Sequence, residues 1–340
     1  MNPMKLRLPP IAALLGRLVR REDRLLVASL SAATALLAVV SLLLGPGGFG
    51  LPAASASLIL LEIRLPRTLL CILIGASLGL AGAALQGYLR NPLAEPGIIG
   101  ASSGAGVGAV LAIHTGLTQT LALALPVGGM LGALAATALV VLLAGERGGP
   151  LTLILAGVAV SSVATALLSL VLSLAQNPFA AVEIVFWLLG SLADRSLVHV
   201  ALAGPFMVAG IALLAGLGRS LDALSLGEEA AENLGVDLAR LRLQAVIGAA
   251  LAVGSATAIA GTIGFVGLVV PHLLRPFVGE EPSRLLTVSL LGGATLLLAA
   301  DIAVRLLTPA GELRLGVLTA LIGTPLFLWL IVKARRELTT

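Results

Sequence analysis

Cysteine, lysine, aromatic residues and charge are all scarce in this chain, and each scarcity removes an explanation. The single cysteine, Cys71, excludes an internal disulfide and reads as a small apolar residue inside a span. Aromatics make up only 3% of residues, whereas a transmembrane barrel needs short alternating segments with aromatic girdles. The only lysines are Lys5 and Lys333, and a phosphate loop needs a lysine preceded by glycines, so the chain has no Walker A motif. Any ATP used must bind another subunit. Charged residues are 11% of the total, and no span centre carries an obvious acidic or basic side chain. A proton- or sodium-coupled carrier usually needs an intramembrane carboxylate or an unwound ion site, so the energy for a pathway here comes from elsewhere. The three histidines, His114, His199 and His272, are scattered without metal-ligand spacing, and no metal site is expected. His, Asp and Ser converge in no visible catalytic pattern, which argues against an intramembrane enzyme.

What is present is apolar. Hydrophobic residues reach 58% and mean hydropathy is +1.09, beyond what a soluble core of this size can hide. Forty glycines, with abundant Ala and Leu, suit helices that approach closely through small residues. The expected fold is an all-α polytopic membrane protein. Runs long enough to cross a bilayer predict ten spans at about 25–44, 68–89, 97–114, 120–144, 150–175, 196–217, 241–260, 263–277, 285–307 and 315–332, the eighth being short. Between the fifth and sixth, "NPFAAVEIVFWLLGSLADRS" predicts an interfacial helix, with Trp187 suited to a headgroup boundary. Residues 1–24 read as a basic cytoplasmic segment, and 25–340 as one membrane domain with a polar loop at about 218–242. "PAASA" has the look of a cleavage site, but the preceding apolar run is too long and too distant for a signal peptide, so the first span stays.

Orientation follows from the basic residues. With the N-terminus inside, only Arg64, Arg67, Arg195, Arg305 and Arg314 of the 21 Lys and Arg fall outside. Both termini are then cytoplasmic. At an offset of 173 residues Ile74-Gly75-Ala76 matches Ile247-Gly248-Ala249; a true repeat relating the second and seventh spans would be inverted, as in many transporters.

Three local patterns stand out. Gly75/Gly79, Gly100/Gly104/Gly108 and Gly128/Gly132 put glycines on one helix face a turn apart, which predicts close helix packing. In the loop after the sixth span, Leu224, Leu226, Ala230, Ala231 and Leu234 alternate with Glu228, Glu229 and Glu232 before Gly235. That is a short amphipathic helix, and its acidic face suits a protein partner better than anionic lipid. "RNPLAEPGIIGASSGAGVGA" joins the second and third spans. Pro92 and Pro96 break helical hydrogen bonding there, giving either a tight turn or a constriction at the cytoplasmic mouth.

Taken in order, "RLPRTLL", "LQGYLRNPLAEPGIIGASSGAG", "FWLLGSL", "SLGEEAAENLGV", "GTIGFVGLVVPHLLR" and "GVLTALIGTPLFLWLI" resemble the FecCD family over about residues 58 to 333. These are permease subunits of bacterial ATP-driven importers for ferric siderophores, haem and cobalamin. The resemblance implies a cobalamin/siderophore-importer permease fold in the bacterial inner membrane. It also implies a second permease copy, a cytoplasmic ABC ATPase that carries ATP and Mg, and a periplasmic substrate-binding protein. This chain is then expected to bind no cofactor itself, to contact lipid and to bind no nucleic acid. By similarity, Leu226, Gly227, Glu228, Glu229, Ala230, Ala231, Glu232, Asn233, Leu234 and Gly235 form a coupling helix seated on the ATPase. Asn91, Pro92 and Leu93 form a cytoplasmic gate. Where relatives often carry small hydroxyl residues at a second gate, this chain has Pro150 and Leu151.

The family's arginines at the outer ends of the second and ninth spans pair with glutamates of the binding protein, and Arg64, Arg67 and Arg305 match those positions. Interface snorkelling, or local pairing with Glu62 and Asp301, is the bland alternative. The mechanism expected is alternating access driven by the ATPase; a gradient-driven secondary carrier or channel is the competing reading.

Overall fold

A computed structural model describes residues 23–45, 48–50, 56–145, 148–175, 177–279, 281–308 and 313–339. Most of the basic N-terminal segment, and Arg147 of the proposed cytoplasmic set, lie outside the described residues. Among the described residues a helix lies in each of the ten apolar runs read as spans. The first five are α1 (Arg24–Leu43), α2 (Leu65–Tyr88), α3 (Ala101–His114), α4 (Ala124–Ala144) and α5 (Pro150–Ser173). The segment expected at the interface forms α6 (Pro178–Leu188), its first turn capped by Asn177 Oδ1 accepting from Phe179 N–H at 3.0 Å. After it come α7 (Leu197–Ala215), the short α8 (Gly218–Leu224) and α9 (Glu228–Asn233), then α10 (Leu238–Ala249), α11 (Val266–Leu274), α12 (Pro282–Leu307) and α13 (Leu315–Thr339). A π-helical turn, Ala250–Gly254, carries α10 on into Ser255–Ala260, and another, Ile59–Arg64, leads into α2.

Among the described residues, seven helices are long and apolar enough to cross a membrane, α2 and α10 being counted with their π-helical turns as Ile59–Tyr88 and Leu238–Ala260. Burial separates them into a centre and a rim. The spans through α2, α10 and α12 are 83%, 78% and 72% buried, whereas α1 is 6% and α4, α5 and α7 are each 28% buried. Leucines on the rim, such as Leu36 of α1, Leu142 of α4 and Leu151 of α5, face outward, as a lipid-solvated surface requires.

Glycine sets the approach of the central helices. Gly75 and Gly79 of α2 lie against the Gly293 and Ser289 carbonyls of α12, and Gly82 lies against the Gly267 carbonyl of α11. Gly104 and Gly108 of α3 face Gly132 and Gly128 of α4 in the same manner. A Cβ at any of these positions would collide with opposing backbone, so the glycine spacings do mark close packing.

The third and eighth crossings are shorter than their apolar runs. Pro96 opens a separate 3-10 turn (Pro96–Ile99) and Gly100 takes φ +74°, so α3 begins only at Ala101. Its 14 residues span about 21 Å, less than a hydrocarbon core of about 30 Å. Ahead of the eighth crossing residues 261–264 have no regular secondary structure, Gly261 takes φ +72°, and helix resumes at Val266. Non-helical backbone inside the bundle, and the helix ends that flank it, must be satisfied by protein. Ser191 N–H donates to the Ala260 carbonyl at 2.7 Å, the Thr262 hydroxyl donates to the Leu188 carbonyl, and Phe265 N–H (φ +67°) donates to Glu95 Oε1 at 3.0 Å.

Candidate functional site

The two ends of the bundle are fixed by α12, whose 26 residues extend about 39 Å. At its start, Ser283 N–H donates to Asp222 Oδ1 of α8 at 2.8 Å, and Arg284 pairs with Asp23 beside α1. At its finish, Arg305 reaches the C-terminus of α1. The acidic helix α9 therefore sits at one end and the arginine cluster at the other.

The arginine cluster is built inward. Arg64 is 7% exposed, and its Nη1 donates to the carbonyls of Leu42, Leu43 and Gly50, each at 2.9 Å. It thereby satisfies carbonyls that the end of α1 leaves without helical partners. Arg67 Nε and Nη2 donate to Asp301 Oδ1 at 2.9 and 2.8 Å, and Arg305 Nη2 lies 2.8 Å from Oδ2 of the same carboxylate. Arg305 also donates to the Ser41 and Leu44 carbonyls at 3.0 and 3.2 Å and to Ser41 Oγ at 2.6 Å. Asp301 is fully buried; the Arg67 and Arg305 side chains are 21% and 12% exposed. Local pairing through Asp301 is thus realised, while Glu62 stays exposed. The cluster ties α1, α2 and α12 together at one end. With three guanidiniums against one carboxylate, it also keeps a positive field there.

At the opposite end, α9 is a six-residue helix between Gly227 (φ +113°) and Gly235 (φ +86°). Both glycines occupy backbone conformations that side chains resist, so the loop's sharp entry and exit depend on them. Ala231 is fully buried, which anchors the helix, whereas Leu226 and Leu234 are 69% and 65% exposed. Glu228, Glu229, Glu232 and Asn233 face solvent around them. This is an apolar pair rimmed by carboxylates, on a short helix seated through Ala231.

Asn91, Pro92 and Leu93 form the turn after α2. Leu93 N–H donates to Asn91 Oδ1 at 2.9 Å, and Gln86 Nε2 reaches back to the Ala94 carbonyl at 3.3 Å. The next stretch enters the protein: the Ile98 carbonyl seats against Gly157 of α5, and Glu95 holds the start of α11. The turn thus joins α2, α5 and α11 mechanically. Pro150 is the first residue of α5, and Leu151 beside it is exposed.

Two further features escaped sequence reasoning. Glu95 lies 170 residues from the backbone it caps, and no local pattern announces that pairing. At the arginine end, a cavity of about 440 Å³ opens between α6, the loop Ser191–Arg195 and Arg314. Its only sequence signal was that Arg195 and Arg314 fell on the unexpected side of the charge bias. Among the described residues no group of His, Cys, Asp and Glu is arranged to hold a metal ion.

These features define an all-helical polytopic membrane protein. The FecCD transport family model matches residues 20–333, and the chain belongs to that family. It is 42% identical to the Fe(3+) dicitrate transport system permease protein FecD of Escherichia coli over 82% of this chain and 86% of that one. It is 41% identical to the vitamin B12 import system permease protein BtuC of Vibrio cholerae, over 80% and 82% of the two chains. Identity to the hemin transport system permease protein HmuU of Yersinia pestis is 38%, over 82% and 84%. A solved inward-facing structure of a transporter described as metal-chelate type superposes with a TM-score of 0.83 at 35% identity, covering 91% of this chain and 99% of that one. The chain is the permease subunit of an ABC importer, a transport subunit, and ATP is used by a separate ATPase in such systems.

Proposed function

We propose that this permease imports a metal chelate from the periplasm to the cytoplasm by alternating access, working as two copies with an ATPase pair and a periplasmic binding protein. The observation that carries the reading is that relatives named for vitamin B12, hemin and ferric dicitrate match at nearly equal identity, 41%, 38% and 42%. Their shared property is a chelated metal. The acidic α9, with Leu226 and Leu234 exposed, is the proposed seat on the ATPase. The Asn91–Leu93 turn is the proposed cytoplasmic gate, a reading supported by its continuation, which contacts both α5 and α11. The charge bias supports both termini on the cytoplasmic side, which makes the arginine end periplasmic.

Docking of the binding protein is assigned to that end. Arg67, the most accessible of the three arginines, is the one placed to meet an acidic partner directly, while Arg64 and Arg305 supply field and rigidity. Co-expression with the candidate ATPase and binding protein, followed by purification through the permease, tests the assembly. Recovery of a stoichiometric ATPase whose hydrolysis rises on adding loaded binding protein is expected. Recovery of the permease alone, still active in uptake, would point instead to a gradient-driven carrier.

A further inference from the structure

The cavity beside α6 carries chemistry that neither packing nor the roles above consume. Phe179, Phe186 and Trp187 form an aromatic side, and Glu183, Asp194, Arg195 and Arg314 supply its charges. The charges are layered. Glu183 and Asp194 are exposed at the rim, whereas Arg195 and Arg314 are half-buried. No ion pair joins these carboxylates to these guanidiniums among the described residues. Arg195 spends its Nε on the Ile259 carbonyl at 2.8 Å, which fixes the side chain and leaves both Nη groups. The Arg314 guanidinium lies 4.8 Å from the Phe186 ring centroid, and its buried Nε has no hydrogen-bond partner in the protein. The indole Nε1 of Trp187 is likewise buried and unpartnered, with the residue only 8% exposed.

Unsatisfied buried donors cost stability unless something accepts from them. Two such donors, on Arg314 and Trp187, lie on one cavity with the Arg195 Nη groups and aromatic faces beside them, and together they ask for an acceptor that is anionic and planar. Burial also lowers the Arg195 pKa, the mark of a cation short of compensation, with Asp194 opposing the shift only partly. Water satisfies such donors less well than a carboxylate, which takes a guanidinium's fork with two parallel bonds.

We infer that this cavity is an entry site for a carboxylate-bearing metal chelate, with Arg195, Arg314 and the Trp187 indole N–H as donors and Phe186 as the stacking face. The inference rests on the proposed import of a metal chelate and narrows its substrate class. A volume of about 440 Å³ accommodates a small ferric carboxylate complex whole, or the carboxylate edge of a larger planar one. The exposed Glu183 and Asp194 at the rim disfavour an approach in which the anion binds outside the arginines.

Equilibrium dialysis of the full-length permease in lipid nanodiscs tests this, using labelled ferric citrate, haemin and cyanocobalamin as separate probes, with Arg195→Gln, Arg314→Gln, Arg314→Lys and Glu183→Gln variants. Wild type should bind at least one carboxylate-bearing probe. Each Arg→Gln variant should weaken that binding by roughly tenfold or more, Arg314→Lys should recover it only in part, and Glu183→Gln should not weaken it. Size-exclusion profiles identify any variant that fails to fold, and Arg314→Lys then carries the comparison. Carboxylate binding that is equal in wild type and variants overturns the site while leaving the import of chelates standing. Binding of cyanocobalamin alone, indifferent to both arginines, overturns the substrate class in the same way. If no probe binds and none is taken up with ATP, the proposed import itself fails, and this site with it.

Discussion

Arg67 and Asp301 are 234 residues apart in the chain and meet in a forked ion pair, Nε and Nη2 both within 2.9 Å of Oδ1. Asp301 is fully buried and is shared with Arg305, so one carboxylate balances two guanidiniums at the junction of α1, α2 and α12. Its removal leaves both cations without their counter-charge. Asp301→Ala should therefore cost about 3–5 kcal/mol, read as a lower thermal midpoint in detergent, with Asp301→Glu less damaging. An unchanged midpoint would show that the pair contributes little to holding these helices.

Arg64 and Arg67 should separate when changed singly. Arg64 donates to three carbonyls and is hidden, so Arg64→Met should speed hydrogen exchange around Leu42–Leu44. Arg67→Glu, by contrast, should abolish stimulation of the ATPase by the binding protein while the ATPase still co-purifies with the permease. Charge reversal at both positions should combine the two losses. Undiminished stimulation in Arg67→Glu removes the docking assignment.

Gly82 backs onto the Gly267 carbonyl so closely that a methyl group has no room, whereas Gly97 has open space around the same position. Gly82→Ala should destabilise by about 1–3 kcal/mol or prevent accumulation of folded protein, and Gly97→Ala should be tolerated. Fluorescence-detected size exclusion after a heat series measures both. Equal behaviour of the two variants would contradict the packing of α2 on α11.

The exposed leucines of the α9 loop should matter to assembly and not to folding. Leu226→Ser and Leu234→Ser should leave the thermal midpoint within about 0.5 kcal/mol in equivalent stability, because both side chains are largely in solvent. Recovery of the ATPase with the purified permease should fall at least severalfold. Full recovery from the double variant would place the ATPase contact elsewhere.

Most of the helix plan was legible because lipid imposes long apolar runs on any crossing helix: each of the ten expected runs holds a helix among the described residues, and seven helices are long enough to cross. What failed was depth. Residues 261–264 and 96–100 adjoin apolar helices yet are irregular or turned, and the helix ends flanking 261–264 take partners, Ser191 and Glu95, that arrive from distant parts of the chain. Glycine spacing announced close packing without naming partners; the Gly82–Gly267 contact exists only in the folded bundle. The arginines were visible as exceptions to the charge bias. Pairing with Asp301 was open as the alternative, since Arg305 lies four residues on from it, but the bonds of Arg64 and Arg305 to the end of α1 were not legible because tertiary structure brings that end to them.

Energy coupling is tested most directly by uptake in cells that carry or lack this chain. Labelled ferric citrate, haemin and cyanocobalamin would each be supplied with ATP intact, and again with ATP depleted while ion gradients are held. Uptake of one chelate should disappear both on deletion of the chain and on depletion of ATP. Uptake that requires the chain but survives ATP depletion would contradict an ATP-driven importer and withdraw the roles assigned to α9 and to the arginine end.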